Sequence, residues 1–243
     1  MITFSQFLAE GKKQQGKKSE MKLKKALAGI KRDCQPFLLA NKSVLSRGQG
    51  LYRGIASIDW DTPALLVNVR TNRLPADMPE HMHKIVDDYF KQKFGHPYRS
   101  AAAFASGDET AAAEYGVVCA IFPVGEYTFS TSKNVIDLFS IFQNTTKLYD
   151  TGISFGNYST ADICDRVTDI MDSEDDGAEA TEFIVNVLDA LKYKETTKIP
   201  TTHFNEIMVN CEKYYAVSLD AFEEDSYDNN SKKIKKLMRL IYD

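Results

Sequence analysis

The sequence predicts an α+β protein, a mixed β-sheet core with flanking helices, and three observations carry that expectation. Apolar residues recur at helical spacing in some segments, for example Met82, Ile85, Val86, Tyr89, Phe90 and Phe94. Short runs rich in β-branched and aromatic residues, such as VVCAIFPV at 117–124, read as buried strands. Helical and strand-like segments interleave, and neither type dominates.

Taken in order, residues 1–18 read as a flexible leader, with a ten-residue amphipathic stretch, a glycine and the Lys/Gln-rich KKQQGKK. The remainder, 19–243, reads as a single α+β domain with a helical lead-in over 19–45 and a basic C-terminal helix over 230–243. In the lead-in, Leu23, Leu27, Ile30 and Cys34 share a helix face, Ser19 is the expected N-cap, and Pro36 is expected to end or bend the helix. Glycines frame a short strand in SRGQGLYRG at 46–54, and ALLVNVR at 64–70 is a second strand. A helix follows, with Pro79 in its first turn and Gly95 as its stop. YRSAAAFAS suggests a strand or extended turn, GDETAAAEYG a short helix, and EYTFSTS a strand leading into the helix KNVIDLFSIF. Ser130–Ser132 are placed to cap that helix. The acidic 172–182 stretch is a loop or helix start, TEFIVNVLDALKY a helix, and FNEIMVNCEKYYAV two short strands around a polar turn. Ile234, Leu237, Met238 and Ile241 give the last helix an apolar face.

The chain has 243 residues, 43% of them hydrophobic, enough for one large domain. Its four cysteines, Cys34, Cys119, Cys164 and Cys211, lie far apart without a CxxC pair, which argues against a zinc site or disulfide framework and for a reducing compartment. No apolar run approaches the ~20 residues of a membrane span, so no membrane partner is expected. Net charge is unevenly spread. Residues 1–33 hold nine of the 30 Lys/Arg and three of the 34 Asp/Glu, leaving 21 basic against 31 acidic residues and a body charge of −10. A basic arm of this kind suits acidic partners or nucleic acid. Aromatics are not interleaved with the basic clusters, which disfavours a single-strand groove.

Local signatures of most enzyme classes are missing. His81 and His83 lie two apart and face different sides of a helix, so no metal site is expected. Neither a GxxxxGK[ST] loop nor a GxGxxG after a strand occurs. What remains is an ordered trio: LYRG at 51–54, FSTS at 129–132 and NEIMV at 205–209. The order Arg, Ser-Thr-Ser, Glu resembles that of the ADP-ribosyltransferases. The resemblance implies NAD as co-substrate, no metal, Glu206 as catalytic carboxylate, Arg53 with Gly54 against the ribose or phosphates, and Ser130, Thr131 and Ser132 shaping the site. The chemistry is consistent with that set: cleavage of a nicotinamide–ribose bond develops oxocarbenium character, which a carboxylate stabilises, while an arginine forks onto phosphates. Phe204 stands where many arginine-directed members carry Glu or Gln. FASG at 104–107 is an alternative serine motif, so Ser106 competes with Ser130, with Glu114 and Glu126 as reserve carboxylates.

The opening MITFSQFLAE resembles the capsid-targeting leader of internal head proteins of large contractile-tailed phages. That resemblance implies contacts of residues 1–10 with a scaffold and a prohead protease, cleavage between Glu10 and Gly11, and a location in the virion interior or host cytoplasm. Two functions from different classes follow: an ADP-ribosyltransferase-like enzyme acting on a host or defence target, or a non-catalytic internal head protein or anti-defence inhibitor that binds a host protein.

Overall fold

A computed structural model describes residues 4–58, 61–74, 78–144, 147, 158–173, 177–200, 205–222 and 230–242, with side chains from residue 17 onward except that of residue 230. The protein is α+β, with eight strands whose described pairings are all antiparallel. The sheet is therefore antiparallel where a mixed one was expected. The chain divides into two compact units. The first comprises 1–68, 108–127 and 211–243, and the second 69–107 and 128–210.

The first unit begins with helix α1 (Phe4–Asp33). It runs through Gly11, Gly16 and Ser19 without a break, so residues 4–10 of the amphipathic stretch and the KKQQGKK behind it, expected as parts of a flexible leader, lie in one longer helix. Each interior glycine costs about 1 kcal/mol, which the surrounding Lys, Gln, Glu and Ala, all good helix formers, help to offset. Ser19 stands inside this helix rather than at its N-cap. The break comes at Cys34, and Pro36 lies in the first turn of α2 (Gln35–Ser46), where its missing N–H leaves no bond unmade. The helix is thus interrupted next to Pro36, as expected, and Pro36 itself stands in the first turn of the helix that follows.

Strands β1 (Tyr52–Ile55), β2 (Ala64–Asn68), β4 (Val117–Pro123) and β8 (Lys213–Ser218) lie in the order β2-β8-β4-β1. Arg53 pairs with Cys119 and Gly54 with Val118. Helix α5 (Glu109–Ala113), capped by the Asp108 carboxylate accepting from the N–H groups of Thr110 and Ala111, belongs to this unit. The C-terminal helix, α9 (Asn230–Tyr242), buries Ile234, Leu237, Met238 and Ile241 as its spacing predicts. Phe37 of α2 packs edge-on against Phe122 and Tyr127 at 5.8 and 5.5 Å. Burial pushes the Cys34, Cys119 and Cys211 thiols up to about 12, and among the described residues no two cysteines form a disulfide.

Gly54 has a packing reason. A Cβ there would sit 2.1 Å from the carbonyl oxygen of Ala112 and 2.7 Å from the backbone of Tyr115, and neither can swing away as a side chain can. Gly54→Ala is expected to cost about 1–3 kcal/mol by forcing α5 off β1, read as a lower urea midpoint with an unchanged m-value.

The second unit holds β3 (Ala103–Ser106), β5 (Thr128–Thr131), β6 (Lys194–Thr196) and β7 (Glu206–Asn210), in the order β3-β7-β5-β6. Its helices are α3 (Glu80–Phe94), α4 (Tyr98–Ala101), α6 (Leu138–Gln143), α7 (Thr160–Ser173) and α8 (Ala178–Ala190). Helix α3 begins after Pro79 and ends at Gly95, whose φ of 82° is the left-handed cap that glycine adopts at little cost. Met82, Val86 and Phe90 of α3, Val167 and Ile170 of α7, Ile184 and Leu188 of α8 and Met208 of β7 share one apolar core. Helix α6 is capped by Asp137, which accepts from the N–H groups of Phe139 and Ser140. The expected cap, Ser130–Ser132, lies upstream of it. Phe204 and part of the acidic 172–182 stretch lie outside the described residues.

Candidate active site in the second unit

Strand β7 starts at Glu206, whose N–H donates to the Ile136 carbonyl at 2.8 Å. The register sets Glu206 opposite Ser106 on β3, and Met208 opposite Phe104 on β3 and Ser130 on β5. Side chains alternate across a strand, so Glu206, Met208, Ser106, Phe104 and Ser130 share one face. Of the two serine motifs, Ser106 is therefore directly across from the carboxylate, and Ser130 is two residues along from it.

The three hydroxyls of FSTS have separate positions. Thr131 Oγ1 donates to the Glu206 carbonyl at 3.0 Å, tying β5 to the start of β7. Ser132 is a structural knot: its hydroxyl donates to the Leu191 carbonyl and accepts from the Asn134 N–H at 3.0 Å, and its carbonyl accepts from Asn205 Nδ2. Ser130 is fully buried, and its hydroxyl has no partner.

The Glu206 carboxylate is paired with Arg99, whose Nη1 donates to Oε2 at 2.9 Å. Both side chains retain only about a tenth of their surface, 11% for Glu206 and 12% for Arg99. Burial raises the Glu206 carboxyl above the ordinary carboxylate range, and Arg99 offsets that rise only in part. For Arg99, burial opposes the charge, but Glu206, together with Tyr193 and Asp137, outweighs it and holds the guanidinium more firmly protonated than usual. Arg99 is itself held by α3. The Asp87 carboxylate accepts from the N–H groups of Arg99 at 2.7 Å and Ser100 at 3.1 Å, and the buried His83 ring stands 3.5 Å from it. Burial lowers His83 below its ordinary value, and the nearby Arg99 and Arg73 charges add to that fall against the pull of Asp87. Two guanidiniums flank Phe104: Arg73 at 4.5 Å and Arg99 at 4.7 Å from the ring centre.

One further feature singles out this site. Buried side-chain atoms without a hydrogen-bond partner are rare in folded proteins. Those among the described residues are Glu206 Oε1, Arg99 Nε, the Tyr193 hydroxyl, the Ser130 hydroxyl and the two His83 ring nitrogens, all in the second unit.

The other expected site residues lie in the first unit: Arg53 and Gly54 on β1, Glu114 exposed at the C-terminal end of α5, and Glu126 exposed between β4 and Tyr127. Glu10 and Gly11 fall within the helical backbone of α1. Sequence reasoning missed Arg99, Asp87, Tyr193 and Phe104. The one available signal was an arginine two residues after Pro97, in a segment read as a strand or extended turn, and Tyr98–Ala101 in fact forms the short helix α4. Among the described residues no group of three or more His, Cys, Asp or Glu is placed to hold a metal, and no helix is long and apolar enough to cross a membrane. No protein-family model, curated protein or solved structure matches the chain.

Proposed function

We propose that this protein is an ADP-ribosyltransferase-like enzyme that uses NAD, with Glu206 as its catalytic carboxylate. The observation that carries the reading is the state of that carboxylate: Oε2 is fixed by Arg99 while Oε1 is buried without a partner, across the sheet from Ser106. A carboxylate oriented through one oxygen is preorganised to accept a ribose hydroxyl through the other.

In the reaction, the bond between the ribose C1′ and the nicotinamide nitrogen breaks, and its electron pair leaves with neutral nicotinamide. Positive charge develops on the ribose, Glu206 stabilises it, and an acceptor nucleophile adds at C1′ and gives up its proton. A metal has no part in these steps.

Purified protein incubated with labelled NAD and host lysate is expected to consume NAD and transfer label, and Glu206→Gln to lower the rate by about 10²–10³-fold. Ser106→Ala, which leaves the ion pair intact, is expected to lower it by about tenfold. Because the working form of Glu206 is ionised and its carboxyl is raised by burial, the rate should fall as pH drops, along a limb displaced above the ordinary carboxylate range. A wild-type protein that neither consumes NAD nor transfers label refutes the proposal.

The burial of the Glu206–Arg99 pair favours a second reading, in which the same arrangement serves a non-catalytic protein that binds a host partner. Unaltered partner capture by Glu206→Gln, with no NAD turnover by the wild type, would support it.

A further inference from the structure

Charge sets one surface of the first unit apart. Helices α1, α2 and α9 hold 15 of the chain's 30 Lys/Arg but three of its 34 Asp/Glu, a surplus of 12, while the rest of the chain holds 15 basic against 31 acidic residues. Of the three acids, Glu20 is bridged to Lys24 at 2.7 Å and Asp33 to Arg32 at 2.6 Å. Setting the five acidic residues that flank α9 in sequence, Glu223, Glu224, Asp225, Asp228 and Asp243, against that surplus of 12 still leaves seven positive charges. The three helices pack against one another, and their cations meet around Tyr242. Lys31 of α1 donates from Nζ to the Tyr242 carbonyl at 3.4 Å, Nζ of Lys42 on α2 lies 5.7 Å from the centre of the Tyr242 ring, and Arg239 precedes Tyr242 by one turn of α9. All three cations are exposed.

The make-up of this surface identifies the polyanion that fits it. Thirteen of the 15 cations are lysines, which meet phosphates as point charges, whereas interfaces between proteins are depleted of lysine and favour arginine. A membrane surface is met by a whole apolar helix face. Here Ile234, Leu237, Met238 and Ile241 of α9 and Leu27 and Ile30 of α1 are buried, and among the described residues each helix leaves one large aliphatic side chain exposed: Met21, Leu39 and Leu240. A single strand is held by stacking on aromatic rings. The one exposed aromatic described on these helices, Tyr242, already has Lys42 against its ring. A duplex needs neither apolar face nor ring. It offers a phosphate about every 1.7 Å of its axis, and residues 17–33 of α1 alone run for about 25 Å.

We propose that α1, α2 and α9 of the first unit form a docking surface for the phosphate backbone of duplex nucleic acid, bound without regard to sequence. Lys31, Lys42 and Arg239, one from each helix, contact phosphates there, and the counterions released from the duplex supply the affinity. The like charges gathered around Tyr242 repel one another in the free protein, and the phosphates relieve that repulsion. The surface is independent of Glu206 and stands whether or not the protein turns over NAD.

The test measures, by fluorescence anisotropy, binding of the full chain to a labelled random-sequence duplex of about 30 base pairs, as DNA and as RNA, between about 50 and 300 mM salt. Binding of either form that weakens steeply with salt is expected. The triple variant Lys31→Gln, Lys42→Gln, Arg239→Gln should bind about 100-fold more weakly near 0.1 M salt and flatten the slope of log K against log salt by about two to three. A control triple, Lys84→Gln, Lys91→Gln, Lys133→Gln, removes the same charge from exposed positions of the second unit. It should stay within about twofold of wild type. If the first triple melts well below wild type, Arg239→Gln alone replaces it, with a slope flattened by about one. Equal weakening by the two triples, wild-type binding that salt does not weaken, or no binding to either duplex at the lowest salt overturns the proposal. Tighter binding to a single strand, to polyglutamate or to anionic lipid vesicles than to the duplex overturns it as well.

Discussion

Arg99→Ala is expected to destabilise the protein by about 3–5 kcal/mol near neutral pH, because it strands the Glu206 carboxylate in a buried setting without its counter-charge. The sign of the pH dependence separates this cause from a simple loss of packing. Burial already raises the Glu206 carboxyl in the native protein, so its ionised form weighs increasingly against folding as pH rises past the ordinary carboxylate range. Without Arg99 the carboxyl rises further. The deficit should therefore be largest at high pH and shrink as acid protonates Glu206. Urea unfolding of both proteins at several pH values between about 5 and 8 measures this directly, and a deficit independent of pH would contradict it. Replacing both partners, as in Arg99→Met with Glu206→Leu, should restore most of the loss, since an apolar pair of similar volume needs no counter-charge. Stability would return while any NAD turnover would not.

Phe90→Ala is expected to cost a similar about 3–5 kcal/mol, through a cavity instead of a charge. Phe90 is fully buried, with ring centres of Tyr193 at 4.9 Å, Tyr89 at 5.4 Å, Tyr98 at 5.8 Å and Phe94 at 6.2 Å. Losing the ring removes both its apolar burial and the edge-on contacts that aromatic pairs favour. Tyr98, whose hydroxyl bonds to Thr128 and Glu195, would lose a ring packed against it, and α3 would lose one of its fully buried side chains. The loss should appear in calorimetry as a lower midpoint that does not recover at low pH, in contrast to Arg99→Ala. Phe90→Leu, which refills much of the volume, should cost distinctly less.

The elements that were legible in the sequence are those whose signals are local. Helix α3 carries its own start and stop in Pro79 and Gly95, β4 is a continuous apolar run, and α9 states its buried face in Ile234, Leu237, Met238 and Ile241. Helix α7 was passed over although Ile163, Val167 and Ile170 have helical spacing, because its acidic residues obscure the stripe. The carboxylate at the start of β7 was legible too, since a glutamate ahead of IMV is a local pattern. Its partner was not. Arg99 lies 107 residues away, and no periodicity or spacing links the two; their contact exists only in the folded chain, where the Arg99 side chain reaches Glu206 from α4. The separate positions of Ser130, Thr131 and Ser132 were hidden for the same reason, as each depends on what the neighbouring strand or loop supplies.

Only Cys211 and Glu212 separate β7 from β8, yet the two strands pair with different neighbours and belong to different units. The backbone changes unit four times, after residues 68, 107, 127 and 210. Neither unit is therefore a continuous piece of polypeptide that truncation could isolate. The sheet of the first unit gains β8 only by pairing residues 213–218 with β2 and β4, far back in the sequence, so its assembly is dominated by distant contacts, the regime in which folding is slow.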